Sequence, residues 1–181
     1  MSLPNLITLA RILMVPVVVW AIAAGEVQLA FWLFVLAGVS DAIDGFLARH
    51  FGMQTELGAY LDPLADKALL ISIYVALAVV DLIPRWTAIA VVSRDIMIIG
   101  AIILSVLMAK PVAIRPLVVS KVNTLVQIVF AALVLASAGF GFPLHHAYAL
   151  GLLAVGGLTV LSAAAYLAEW IRHVGGTSEE T

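Results

Sequence analysis

The sequence predicts an all-α integral membrane protein with six transmembrane helices and both termini in the cytoplasm. Three observations predict it. Of the 181 residues, 64% are hydrophobic and only 11% charged, and the mean hydropathy is +1.17, too apolar for a soluble domain of this size. A bilayer core asks for roughly 20 mostly apolar residues per helix. The chain meets that length six times, over 6–24, 28–50, 61–81, 85–109, 117–138 and 146–172. The cations set the orientation. Arg49, Lys110, Arg115 and Arg172 fall on the side of the termini and the even-numbered loops, against Arg85 alone near the loops opposite, and excess positive charge marks the cytoplasmic side.

Each break between segments carries turn chemistry. The first helix follows Met1-Ser2-Leu3-Pro4-Asn5, which has neither a basic leader nor a small-residue cleavage site; the first apolar stretch is therefore read as retained, and a bacterial plasma membrane is expected. Gly25-Glu26 ends the first segment. The stretch from His50 to Gly58 ends the second, with Gly58 expected in the turn itself, where positive φ is often needed. Ile83-Pro84, Lys110-Pro111 and Gly139-Phe140-Gly141-Phe142-Pro143 supply the remaining breaks. Residues 1–174 read as one transmembrane domain, and Gly175 to Thr181 as a flexible polar tail. Trp20, Trp32, Trp86 and Trp170 lie near predicted helix ends, as an interfacial aromatic belt requires. His145 and His146 fall in a predicted outer loop without a carboxylate at ligand spacing, and a surface role is expected of them.

Composition excludes several classes of function. A net charge of -2 with a pI near 6.0 leaves no basic stripe for nucleic acid. With no cysteine there is no disulfide, thiolate nucleophile or Cys-type zinc site, so a metal would rest on oxygen or imidazole ligands.

Charged groups within hydrocarbon cost several kcal/mol each and mark function by default. Asp41 and Asp44 lie toward the cytoplasmic end of the second segment and Asp62 and Asp66 at the corresponding end of the third, with Arg11, Lys67, Arg94 and Lys121 in the first, third, fourth and fifth. Asp41, Asp44 and Ala48 share a helical face at i, i+3 and i+7, and Asp62 and Asp66 share one at i, i+4. Two facing carboxylate pairs at low dielectric would repel and take up protons unless cations were present, and Mg2+ or Mn2+ with oxygen ligands is the natural remedy. The competing reading makes the aspartates helix caps or partners of Arg49 and Lys67. Asp62-Pro63 does fit an N-cap followed by proline at the first helical position, but capping leaves the other three unexplained. Gly45 and Ala48 keep the aspartate face narrow enough for a flat ring or diphosphate to approach the backbone; small residues also serve plain helix packing in membranes.

Read together, Asp41-Ala42-Ile43-Asp44-Gly45-Phe46-Leu47-Ala48-Arg49, Gly58, Asp62 and Asp66 resemble the signature of the CDP-alcohol phosphatidyltransferases, D-x2-D-G-x2-A-R-x8-G-x3-D-x3-D, at all eight fixed positions. Upstream, Leu3-Pro4-Asn5-Leu6-Ile7-Thr8 with Arg11 extends the resemblance. It implies that Asp41, Asp44 and Asp62 bind two metal ions that also hold the diphosphate of CDP-diacylglycerol. Asp66 would contact metal and act as general base on the acceptor hydroxyl. Asn5, Thr8, Gly45, Ala48, Arg49 and Gly58 would bind the CDP-lipid. A homodimer among membrane lipids is implied as well. Direct attack by the alcohol, with release of CMP, is expected, because no Ser, Cys or His is sited as an obvious nucleophile.

For the acceptor, Arg94 and Lys121 offer a bidentate fork and a point charge to a phosphate, and Arg115 stands near the cytoplasmic entrance. Their bland roles are pairing of Arg94 with a motif aspartate, snorkelling of Lys121 and a positive-inside loop position for Arg115. Asp81-Leu82-Ile83-Pro84, Ser93-Arg94-Asp95-Ile96-Met97 and Ser120-Lys121-Val122-Asn123-Thr124-Leu125-Val126-Gln127 resemble the CMP-forming cardiolipin synthase branch, which implies phosphatidylglycerol as acceptor. The phosphatidylglycerophosphate synthase branch, which takes glycerol 3-phosphate, is the alternative. Intramembrane prenyltransferases also pair aspartate clusters with a diphosphate, but without the Asp-Gly-x-x-Ala-Arg continuation. A cation or proton transporter would predict inverted repeats, which the sequence does not show.

Overall fold

The computed structural model describes residues 3–51, 56–107 and 118–175, and side chains within 8–41, 43, 65–101 and 118–172. Six α-helices make up the described residues: α1 (Leu3–Ala23), α2 (Val27–Phe51), α3 (Glu56–Val79), α4 (Arg85–Leu107), α5 (Val118–Phe140) and α6 (His146–Gly175). All six expected segments are helical. α3 begins earlier than the apolar pattern indicated, at Glu56 rather than near 61. Gly58 therefore lies in the first turn of α3 and not in a loop. Gly175 closes α6, and the rest of the expected tail lies outside the described residues, as do Arg115 and the Lys110-Pro111 break.

Helix ends are built by left-handed caps. At Gly25, φ is 80°, and the N–H groups of Gly25 and Glu26 donate to the carbonyls of Ile22 and Ala21. These are the paired bonds of a Schellman motif. α3 ends the same way around Asp81 at φ 56°, with Asp81 and Leu82 donating to Ala78 and Leu77. Aspartate tolerates this backbone better than most side chains do. Gly141, at φ 74°, caps α5 through a bond to Ser137.

The contacts divide the chain into two units. Unit 1 comprises Met1–Arg85 and Ala131–His145; unit 2 comprises Trp86–Phe130 and His146–Thr181. In unit 1, α1 packs against both α2 and α3. Its core face is Val18, Ala21 and Ile22, met by Ala30, Phe34 and Ala37 of α2 and by Ile73, Tyr74 and Leu77 of α3, all buried at helical spacing. Gly139 lets the end of α5 approach the α2 backbone, where an added Cβ would stand 3.1 Å from the Gln28 nitrogen. Gln28 Nε2 donates to the Gly139 carbonyl at 2.7 Å.

In unit 2 the buried face of α4 is Thr87, Val91, Arg94 and Ile98. The ring of Phe130 of α5 packs on α6 at Gly151, where a Cβ would come within 2.3 Å of it. α5 (Val118–Phe140) and the Val-, Leu- and Ala-rich stretch His146–Arg172 of α6 are each long and apolar enough to cross a membrane. The apolar stretches Thr8–Ala23 and Val27–Asp41 are shorter, and α1 to α4 are the helices that carry Arg11, the four motif aspartates and the Arg94-Asp95 pair.

Candidate active site

The motif aspartates belong to two helices of unit 1, Asp41 and Asp44 to α2 and Asp62 and Asp66 to α3. Because α1 packs against both helices, one residue on its inner face can reach each of them. That residue is Arg11. Its Nη1 donates to Asp41 Oδ1 at 2.7 Å and to Asp66 Oδ1 at 2.6 Å. The guanidinium is only 1% exposed, whereas the Asp41 and Asp66 side chains are 41% and 47% exposed. The arginine thus closes the site from within, and the carboxylates face outward. Thr8, one turn before Arg11 on α1, is fully buried.

Asp41 and Asp66 thereby come together from separate helices, an arrangement the spacing allowed. The side chains of Asn5, Asp44, Gly45, Ala48, Arg49, Gly58 and Asp62 lie outside those described. Among the described residues no three carboxylate or imidazole side chains converge. The donor set nevertheless suits a hard divalent cation: two carboxylate oxygens from α2 and α3 already converge on one cationic nitrogen, with their outer sides open. Sequence reasoning had flagged Arg11 as an intramembrane cation and missed its partners. The available signal was its predicted depth, level with the aspartates at the cytoplasmic end.

Unit 2 holds a second polar cluster of a different kind. Arg94 and Asp95, both buried, form an ion pair at 2.5 Å. Arg94 Nε and Nη2 donate to Ser162 Oγ at 3.2 and 2.8 Å, and Nη2 also donates to the Ser120 hydroxyl. The Tyr166 ring lies 5.8 Å from the guanidinium carbon. Deeper along the same helices, Gln127 Nε2 donates to Thr159 Oγ1, which donates to Asn123 Oδ1, both at 3.2 Å. Ser120, Asn123 and Gln127 repeat at i, i+3 and i+7 on α5, and Thr159, Ser162 and Tyr166 do so on α6. Two polar stripes are therefore sewn together, with Arg94 of α4 as the last stitch. Arg94 pairs with its sequence neighbour Asp95, while Lys121 is exposed. In the sequence Asp95 stands only as part of the branch resemblance; its role as the partner of Arg94 comes from the packing, because adjacent helical positions do not by themselves share a face.

The family model for CDP-alcohol phosphatidyltransferase matches residues 1–168. The chain belongs to the CDP-alcohol phosphatidyltransferase family. Relatives within it carry different names. Human cardiolipin synthase (CMP-forming) is 35% identical over 157 residues, covering 78% of this chain and 52% of the human protein. A probable phosphatidylglycerophosphate synthase of Mycobacterium tuberculosis is 34% identical over 182 residues, covering 97% of this chain and 84% of that protein. The CDP-diacylglycerol–glycerol-3-phosphate 3-phosphatidyltransferase of Bacillus subtilis is 34% identical over 114 residues, covering 55% and 59%. The chain spans about half the length of the human and rat cardiolipin synthases.

Proposed function

We propose that this protein is a membrane-embedded phosphatidyltransferase that moves the phosphatidyl group of CDP-diacylglycerol onto a hydroxyl of phosphatidylglycerol, giving cardiolipin and CMP. The observation that carries the reading is the meeting of Asp41 and Asp66, from two helices of the family signature, on one buried guanidinium. Membership of the family supplies the reaction class.

Asp41, Asp44, Asp62 and Asp66 would hold two divalent ions, Mg2+ or Mn2+. Such ions, when bound, draw charge from the diphosphate oxygens and stabilise the departing CMP. Asp66 accepts the proton of the acceptor hydroxyl as that oxygen bonds to the lipid-linked phosphorus and the bond from this phosphorus to the CMP oxygen breaks. Atoms and charge balance without an enzyme-bound intermediate. Asn5, Thr8, Gly45, Ala48, Arg49 and Gly58 surround the CDP-lipid on this reading. Lys121 presents a point charge and Arg115 a planar fork to the acceptor phosphate on this reading.

All six helices cross the bilayer in this proposal, with the termini and the aspartates toward the cytoplasm of a bacterial cell, and two copies form a dimer. Leu13, Trp20, Trp32, Leu36, Ile89 and Leu153, each about half or more exposed, are groups that lipid accommodates and water does not, which supports a membrane setting for α1, α2, α4 and α6 alike.

The test supplies purified protein with CDP-diacylglycerol and Mg2+, and either phosphatidylglycerol or glycerol 3-phosphate. CMP and cardiolipin with phosphatidylglycerol alone are expected. Turnover with glycerol 3-phosphate alone would establish the second reading, phosphatidylglycerophosphate synthesis, which the near-complete span of the Mycobacterium tuberculosis relative favours. CMP release with neither acceptor would reject both.

A further inference from the structure

We propose that Arg11 is a positioning residue of the metal site, a tethered counter-cation that holds Asp41 and Asp66 in register before a divalent ion arrives and then yields carboxylate oxygens to it. The inference rests on the two-metal reading given above.

Geometry is the first ground. A guanidinium Nη carries two hydrogens, and those of Arg11 Nη1 have two carboxylates from two helices as acceptors, at 2.7 and 2.6 Å. One nitrogen therefore fixes the spacing of α2 relative to α3 at the very oxygens a metal would use. Charge is the second. Two carboxylates brought to one point repel each other unless a cation stands between them. Arginine suits that task because it does not give up its own proton when buried, as lysine or histidine would. Exposure is the third. Arg11 lies on the inner side, sealed from solvent, while both carboxylates are close to half open on the other. A cation entering from outside meets Oδ1 atoms already claimed by Arg11 and must compete for them. The residue thus has two opposed effects: it stabilises the metal-free site and weakens the uptake of metal.

That opposition separates a counter-cation from an ordinary structural ion pair. The experiment uses the full chain in detergent micelles without lipid substrate. Mn2+ uptake is followed by the electron paramagnetic resonance of the free ion, and thermal unfolding is followed with and without Mn2+. For Arg11→Gln, the metal-free Tm should fall, the rise in Tm on adding Mn2+ should at least double, and the half-saturating Mn2+ concentration should drop about tenfold, since a positive charge beside the ion has gone. Arg11→Lys, which keeps the charge but loses the planar fork, should lie between Arg11→Gln and the wild type. Equal losses of Tm with and without Mn2+, at an unchanged or higher half-saturating concentration, would overturn the proposal. Should Arg11→Gln not fold, Arg11→Lys decides alone: a lower half-saturating concentration supports the proposal and an unchanged or higher one refutes it. Asp41→Asn serves as the control for the metal reading itself. If the wild type takes up no Mn2+, that reading fails and the inference with it; if the wild type binds Mn2+, Asp41→Asn does not and the Arg11 variants bind as the wild type does, only the inference fails.

Discussion

Arg11 and Arg94 are both buried arginines bonded to aspartate, yet they belong to two opposite kinds of site. Around Arg11 in unit 1 the cation is sealed and its acids are open, so the acids remain available to something else. Around Arg94 in unit 2 the cation, Asp95 and the hydroxyl of Ser162 are all enclosed, and the charges answer one another inside the packing. Burial of an arginine is therefore a poor guide to its role. The exposure of its partner is the better one, because a desolvated pair is complete in itself while a half-solvated carboxylate still has lone pairs to offer.

The contrast can be broken or sharpened by substitution, and the largest effect should fall on activity. Asp66→Asn should lower CMP release by about 10²–10⁴-fold, the range for loss of a general base, while thermal unfolding shows the protein still folded. Undiminished release would remove Asp66 from the chemistry. Asp95→Asn should act the other way, on stability first. Leaving Arg94 without its buried counter-charge costs about 3–5 kcal/mol, read in denaturant unfolding in detergent, and the double variant Arg94→Met, Asp95→Leu should recover most of that loss. If the double variant is no better than the single one, the pair is not the closed unit its burial indicates.

A third effect is smaller and tests packing alone. Gly151→Val forces side-chain carbon into the Phe130 ring, where a Cβ would already stand at 2.3 Å. Overpacking of this kind costs about 1–3 kcal/mol. Phe130→Ala in the same chain should relieve the clash at the expense of the ring's own contacts. The smallest effect is at the end of α3. Asp81→Gly frees a left-handed residue of its Cβ but gives up the exposed 3.5 Å bridge to Arg85, so the two changes nearly offset and stability should move by less than about 1 kcal/mol.

Much of the helix plan was legible in the sequence, and the reason is solvent. Apolar runs of bilayer length and glycine, proline or aspartate at their ends carry their own geometry, which is why Gly25 and Gly141 ended helices where expected. Gly58 misled because glycine is compatible with a turn but does not require one, and here it falls inside the first turn of α3. The aspartate spacing is local too, since i, i+3 and i, i+4 fix a shared face before any packing occurs. Composition, the six helical segments, the eight-position signature and thus the family were determined by the sequence by itself. What it left undecided was which cation meets which acid. Arg11, Lys67, Arg94 and Lys121 all stood as cations in apolar segments, and the charge of a side chain carries no record of its partner. Only the tertiary structure decided that Arg11 joins Asp41 to Asp66 while Arg94 is neutralised by Asp95. Pairing across helices depends on the depth and rotation at which they pack, and those are properties of the assembled core.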